Sequence, residues 1–411
     1  LVGCRMDEKI IRKVPFYRPS LDEAEIEAVR STLVDGWITT GPKTKKFEAE
    51  LAAYVGSKYA LALNSCTAAL HVGLAAAGVQ KGDNVITTAY TFAATVETVL
   101  YCGAKPVLVD IDSATLNMDP VWVARKIDRK TKALVTVDIA GLPCDYDFLL
   151  PLAAKKNLFL LADAAHSLGA SYKGVQVGRL TDATAFSFYS TKNLTTGEGG
   201  MLVTDNRKLY ERAAVLALHG MSKDAWKRYS SEGSWYYEIV AAGFKYNLSD
   251  LQGAIGLAQL KKFPELQKRR AYLAALYDRQ LAPYLELLEL PPRRGNSEHA
   301  WHMYLVRLKP KVLRIDRDEL LRQLSARGIG TSVHFIPVHL HPFYRKLLGH
   351  RPADFPNALA TYKRIFTPPF YPAMSDEDVE YVCSTLGEIL NANYKASMVS
   401  LAARKKAELA G

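Results

Sequence analysis

The sequence predicts an α/β protein: a mostly parallel sheet sandwiched by helices, followed by a smaller α+β unit. Three observations carry this expectation. From residue 58 to about 205, short apolar runs alternate with stretches of helical periodicity. Those runs are apolar on both faces, as in strands covered from each side. The pattern then changes at Phe263-Pro264 and again at Pro291-Pro292, after which strand, helix and strand follow closely. At 411 residues the chain is too long for one simple core. We assign 14–262 to a large domain, 263–392 to a small C-terminal domain and 393–411 to a basic, Ala-rich peripheral tail.

Residues 1–13 read as a frayed leader, with Met6 as a candidate natural start. Ser20 to Glu23 matches the capping box S-x-x-E before a helical pattern at 21–34. Gly36 to Pro42 is a loop, and 43–55 reads as an amphipathic helix closed by Gly56. Strands are expected at 59–63, 84–88, 106–109, 132–137, 158–162, 184–188 and 200–204. Helices are expected at 67–77, 91–102, 119–127, 146–156, 206–218 and 249–262. Residues 221–248 are polar and aromatic without clear period (Trp226, Arg228, Tyr229, Trp235), which marks a functional loop. Beyond the break at Phe263-Pro264, a helix runs to roughly 282. Strand 301–308, helix 316–327, a Gly328–Gly330 turn and strand 331–335 follow. A stretch rich in Pro, His and Tyr fills 337–372, and a final helix covers 375–392.

Composition excludes several classes. No apolar run reaches the ~20 residues of a membrane helix. Leu1 to Cys4 has the look of a lipoprotein cleavage site, but no apolar segment precedes it. The five cysteines are scattered, without CxxC, which argues against a disulfide framework or zinc site and for a reducing, cytoplasmic setting. The net charge of +11 comes from basic clusters far apart in sequence, without a nucleic-acid-binding signature. A basic site for a phosphorylated, anionic small molecule suits it at least as well as nucleic acid. Neither G-x-G-x-x-G after the first strand nor G-x-x-x-x-G-K-[ST] is present, so hydride transfer and nucleotide hydrolysis lack their main support.

The stretch from Phe186 to Gly200 places Lys192 on a tight loop between two apolar runs. Alone, Lys192 reads as a solvated lysine; its sharper reading is a Schiff-base lysine. Asn64 to Leu70 puts small and hydroxylated residues at a helix start, where free N–H groups can hold a phosphate or simply be capped. Asp163 ends a strand where parallel sheets bind ligands, with His166 three residues on. A phosphate loop, then an aspartate, then Ser187 and Lys192 are what a pyridoxal 5'-phosphate (PLP) enzyme needs. Lysine holds the aldehyde, and the aspartate keeps the pyridine nitrogen protonated.

With these residues the chain resembles the DegT/DnrJ/EryC1/StrS family of PLP-dependent nucleotide-sugar aminotransferases, of the aspartate-aminotransferase-like fold (PLP fold type I). The resemblance runs from about 14 to 392. It is carried by Gly36–Gly41, Asn64–Thr67, Thr88–Phe92, Asp163–His166, Ser187–Gly200, Lys245–Asp250 and His334–Pro342. It implies that Lys192 forms the Schiff base and shuttles the proton, and that Asp163 pairs with the pyridine nitrogen. His166 would lie near the ring and Phe92 would stack on it. Cys66, Thr67 and Ser187 would bind the phosphate, and Asn247 would reach the phosphate of the neighbouring subunit in a homodimer with shared active sites. Arg228, His334, Thr39 and Thr40 would approach the nucleotide-sugar substrate. Cys66 stands where relatives often carry Gly, Ala or Ser, and reads as a small filler. Phe92 could instead be plain core. His339 and His341 have metal-ligand spacing but lack matched partners, and read as structural or substrate-lining.

The resemblance implies amino transfer from L-glutamate, which leaves as 2-oxoglutarate, to a keto sugar by a ping-pong mechanism. A UDP-linked 4-keto-6-deoxyhexose is expected, with a product for surface polysaccharide such as lipopolysaccharide. Two alternatives differ in sequence. A sugar dehydratase of the same family carries histidine in place of the Schiff-base lysine, whereas this chain keeps Lys192. A non-catalytic PLP-binding regulator would lack Lys192 or Asp163, or carry an added DNA-binding segment.

Overall fold

The computed structural model describes residues 12–222 and 236–395. Its centre is a seven-stranded sheet. In chain order the first strands are Tyr59–Leu63 (β1), Asn84–Thr88 (β2), Lys105–Val109 (β3), Thr131–Val137 (β4) and Phe159–Asp163 (β5). Ser171–Tyr172 (β6) and Val175–Gln176 (β7) form a small side ribbon, and Ala183–Ser187 (β8) and Gly200–Thr204 (β9) complete the main sheet. The order is β1-β9-β8-β5-β4-β2-β3, and every pairing is parallel except those of β9, which runs antiparallel to both neighbours. The strands are rich in Val, Leu, Ile and Ala and buried along nearly their whole length, as a sheet covered on both faces requires.

The covering helices are Glu23–Asp35 (α1), Pro42–Val55 (α2), Cys66–Ala76 (α3), Ala93–Tyr101 (α4), Pro120–Lys126 (α5), Tyr146–Lys156 (α6) and Arg207–Ala217 (α7). The helix Asp250–Leu281 (α8) then spans two cores. Its first half sets Phe263 among Phe47, Leu51 and Phe188; its second half sets Leu273, Tyr277 and Leu281 among Val306, Leu320 and Phe366. The second core is closed by Leu288–Glu289 (β10), Val306–Leu308 (β12) and Ile365–Phe366 (β13), and by Arg317–Ala326 (α9) and Asp376–Ala392 (α12). Ser297–Glu298 (β11) pairs with β6, while Pro342–Leu348 (α10) and Pro356–Tyr362 (α11) occupy the Pro-rich stretch. Among the described residues no helix is long and apolar enough to cross a membrane.

Four local expectations need correction. The helix break at Phe263-Pro264 does not occur: α8 carries Pro264 inside it, because burial of Leu260 and Phe263 on one side and Leu273 on the other holds the axis. The first capping box is Asp22 with Glu25 rather than Ser20 with Glu23. Ala24 N–H donates to Asp22 Oδ1 at 2.9 Å, and Glu25 Oε2 accepts from Asp22 N–H at 2.8 Å. Strand 301–308 contracts to β12, because Ala300, His302 and Met303 turn their N–H groups to the loop carbonyls of Gly141 and Ala140. Strand 331–335 reduces to one bridge between Ser332 and Thr367.

Candidate active site

Parallel strands β4, β5 and β8 end together near the middle of the sheet, and their exit loops open beside the starts of α3 and α4. The cavity there holds about 560 Å³. It brings together Cys66, Thr67, Phe92, Asp163, His166, Ser187, Lys192 and His334. These eight come from five separate segments, so the sequence order Asn64, Asp163, Lys192 becomes one spatial constellation.

Asp163 closes β5 and is buried. Its Oδ2 accepts from Thr95 Oγ1 at 2.7 Å and its Oδ1 from Ala165 N–H at 3.2 Å. Burial pushes this carboxyl above its usual range, while those two donors and the Lys192 charge hold it down. Lys192 lies in the loop after β8, its N–H bonded to Tyr189 O at 2.9 Å. Burial lowers its amine to about 8, opposed by electrostatic interaction with Cys66 and with Asp163. At that value a substantial fraction is a neutral base near pH 7–8. Burial pushes the Cys66 thiol well up, which suits a small filler more than a nucleophile.

The start of α3 is arranged for an anion. Ser65 caps it, accepting from Ala68 N–H at 3.0 Å, and the first helical bond runs from Ala69 N–H to Ser65 O. The N–H groups of Cys66 and Thr67 precede that bond and have no acceptor within the helix. Gly200 lets β9 pass against this end: a Cβ there would stand 2.4 Å from Cys66 N. Ser187, at the end of β8, faces the same cavity. Phe92 is 63% exposed at the cap of α4, which rules out plain core and leaves its ring free beside Phe335. Taken together, the residues fit PLP. They supply an amine of lowered pKa, a buried carboxylate, an unbonded helix N-terminus and an open aromatic face.

Other predicted residues lie elsewhere. Thr40 and Asn247 form their own cluster: Asn247 Nδ2 donates to Thr40 Oγ1 at 2.8 Å, and Thr40 Oγ1 donates to Leu248 O at 2.5 Å. Thr39 joins them through its carbonyl, which accepts from Asp250 N–H. None of the three lines the cavity of its own chain. Arg228 falls outside the described residues. His339 packs on Phe355 and donates from Nε2 to Pro352 O at 3.3 Å, while His341 precedes α10. Sequence reasoning missed Thr95, His302 and Phe335, which line the cavity from a helix turn and two loops. Nothing in their local pattern separates them from core residues.

The fold and this cavity define a PLP-dependent aminotransferase of fold type I. The chain belongs to the DegT/DnrJ/EryC1/StrS aminotransferase family, which it matches over residues 19–387. It is 48% identical over 378 residues to the spore coat polysaccharide biosynthesis protein SpsC of Bacillus subtilis, covering 92% of this chain and 97% of that protein. Among solved structures, the PMP form of Spr1654 from Streptococcus pneumoniae superposes with a TM-score of 0.87 at 35% identity, covering 92% of this chain and all of that one. The same protein is also solved in a PLP form. PseC of Helicobacter pylori, an aminotransferase involved in the biosynthesis of pseudoaminic acid, gives 0.86 at 28% identity, covering 93% of this chain and all of that one.

Proposed function

We propose that this enzyme transfers the amino group of L-glutamate to the keto carbon of a nucleotide-linked sugar, a UDP-4-keto-6-deoxyhexose being the favoured class, for surface glycan biosynthesis. The observation that carries the reading is the meeting of Lys192, Asp163 and the open start of α3 in one cavity. PLP, when bound, supplies an electrophilic carbon for the amine and an aromatic ring that draws electrons from the carbon losing its proton.

The chain's own residues do the rest. Lys192 would bond the cofactor and carry the proton. Asp163 would accept from the pyridine N–H, Phe92 would stack on the ring, and His166 would lie near it. Cys66, Thr67 and Ser187 would hold the phosphate. His334 faces the sugar, with Thr39, Thr40 and Arg228 reaching toward the nucleotide. Glutamate enters and 2-oxoglutarate leaves before the keto sugar binds, a ping-pong order. Two such chains form a homodimer in which Asn247 serves the partner's site; its position outside its own cavity supports this. The roles of SpsC in spore coat polysaccharide biosynthesis and of PseC in pseudoaminic acid biosynthesis support a sugar acceptor.

The test is a panel of keto-sugar nucleotides offered with glutamate, with the amino-sugar product read by mass and NMR. Amination of a UDP-4-keto-6-deoxyhexose is the expected result. Amination of free keto acids alone would remove the sugar assignment.

A further inference from the structure

The His166 ring, which lines the catalytic cavity, stacks on two neighbours. It meets His302 with centroids 4.5 Å and planes 25° apart, and Phe335 at 5.7 Å and 17°. His302 is itself held by its backbone N–H, which donates to Ala140 O at 3.0 Å, and by its Nδ1, 3.1 Å from Asn193 Oδ1. Stacking sets the plane of the His166 ring but does not tell a ring nitrogen from a ring carbon. One hydrogen bond does: Ala140 N–H donates to His166 Nδ1 at 3.3 Å. Ala140 is buried, and a ring turned over would leave this N–H facing a C–H. Nδ1 is therefore the acceptor. Burial keeps the ring neutral, so its hydrogen sits on Nε2.

The Ala140 N–H reaches His166 because the turn Ile139–Gly141 takes an unusual course. Ala140 has φ +56°, a left-handed conformation that a residue with a Cβ adopts at a cost. Two buried side chains hold it there. Asn117 Oδ1 accepts from Ile139 N–H at 3.0 Å, and its Nδ2 donates to Leu142 O at 2.9 Å. Asp138, which directly follows β4, does more. Its carbonyl accepts from Gly141 N–H at 3.2 Å, and its N–H donates to Asp163 O at 3.3 Å. Its Oδ1 accepts from Cys144 N–H at 2.9 Å and from Tyr146 Oη at 3.0 Å, which closes the far side of the loop. Its Oδ2 accepts from Ser167 Oγ at 2.8 Å, and Ser167 is the residue after His166. One fully buried residue thus bonds the chain before His166, the chain after it, and the turn that supplies the Ala140 N–H.

We propose that Asp138 is a positioning residue of the active site: it locks the 139–141 turn onto His166, so that His166 meets the cofactor as a neutral ring with its hydrogen on Nε2. A carboxylate suits this task because its three partners (Cys144 N–H, Tyr146 Oη and Ser167 Oγ) all donate to it. The meeting with the cofactor rests on the PLP reading above; the lock on the ring does not.

Two measurements test this. Cofactor-free protein labelled with ¹⁵N-histidine reports the ring directly, the His166 signals being assigned by their loss in His166→Gln. A bare Nδ1 and a protonated Nε2 are expected in the parent. They are expected again in Asp138→Asn, which keeps the Oδ1 acceptor and can donate to Ser167 Oγ. Asp138→Ala should give signals averaged over both tautomers. A protonated Nδ1 in the parent would overturn the proposal, as would an unchanged ring in Asp138→Ala. The second measurement is a double-mutant cycle on the PLP affinity of cofactor-free protein. Asp138→Ala and His166→Phe should each weaken PLP by about tenfold. The double variant should lose about the same tenfold, because Asp138 acts through His166. Losses that multiply to about a hundredfold would make Asp138 a general scaffold residue and refute the proposal. If Asp138→Ala does not fold, Ser167→Ala, which deletes one of the three bonds, replaces it in both measurements with smaller changes of the same kind. If the parent itself binds no PLP, the cofactor reading fails instead, and the histidine signals still decide the lock.

Discussion

Thr95 Oγ1 donates to Asp163 Oδ2 across 2.7 Å, so the carboxylate at the end of β5 is oriented from the first turn of the neighbouring helix α4. Because Thr95 spends its hydrogen on Asp163, it must accept from Thr91 Oγ1, also 2.7 Å away. Two threonines thus form a directed chain that ends on the acid proposed to meet the pyridine nitrogen.

Thr95→Val keeps the shape and deletes the donor. Burial already pushes the Asp163 carboxyl upward and Thr95 is the largest influence holding it down, so its pKa rises further in the variant. A raised carboxyl protonates at higher pH, which moves the acid limb of kcat/KM upward. A buried hydrogen bond to a charged group is worth about 1.5–3 kcal/mol, so turnover should fall by roughly 10- to 100-fold. Thr95→Ser should restore both. An acid limb that stays in place would separate Thr95 from the chemistry.

Lys192→Ala should abolish the visible absorbance band of the bound cofactor and reduce transamination by about 10³-fold or more. In the parent protein the pH dependence of cofactor capture should reflect an amine at about 8. Because burial lowers this pKa, the reactive free base is present above about pH 8 and lost below it, about two units lower than for an unperturbed lysine. Spectra and stopped-flow capture rates report both. A capture midpoint near 10 would show that burial does not tune this lysine.

Much of this was legible beforehand. The strands of the central sheet announce themselves through apolar runs bounded by turn residues, and their predicted ends fall within a residue of β1 to β5, β8 and β9. Lys192, Asp163 and the start of α3 were legible because their chemistry is tied to strand ends and a helix N-terminus. His302 and Thr95 were not. Their significance comes from Asn193, Ala140 and Asp163, which are distant in sequence, and no local period encodes those contacts. The cluster of Thr40 with Asn247 spans 207 positions and was equally invisible. In the small unit, backbone N–H groups that a strand would pair sideways are taken by the Ala140–Gly141 loop.

Pro264 misled the sequence reading because a proline inside a helix removes one hydrogen bond and crowds the preceding turn. Its neighbours outweigh it: Phe263 is fully buried and Leu260 nearly so, while Pro264 itself is exposed. Pro264→Ala would restore the missing donor to the Leu260 carbonyl without disturbing the core. Helix propensity alone favours alanine by about 3 kcal/mol, part of which local bending already recovers. The expected result is a gain of about 1 kcal/mol or more in urea unfolding with an unchanged m-value. A loss of stability would mean that the proline sets the angle between the two cores.

If Asn247 serves the partner's site, the two halves of one active site can be supplied by different chains. Lys192→Ala and Asn247→Asp should each be nearly inactive as pure homodimers, the second because a carboxylate would face a phosphate. In a mixed dimer both lesions fall in one site, and the other site combines an intact Lys192 with an intact Asn247. Random reassortment of equal amounts makes about half the dimers mixed, each with one of two sites restored, so about a quarter of the parental activity should return. Were Asn247 to act within its own chain, every site would keep one lesion and no activity would return. Unfolding and refolding the variants together, against the same variants refolded apart, makes the comparison, and the Thr40 contact adds a control. Thr40→Val removes the 2.8 Å bond that orients the Asn247 amide while leaving Asn247 in place. It should therefore weaken PLP retention without abolishing turnover at saturating cofactor.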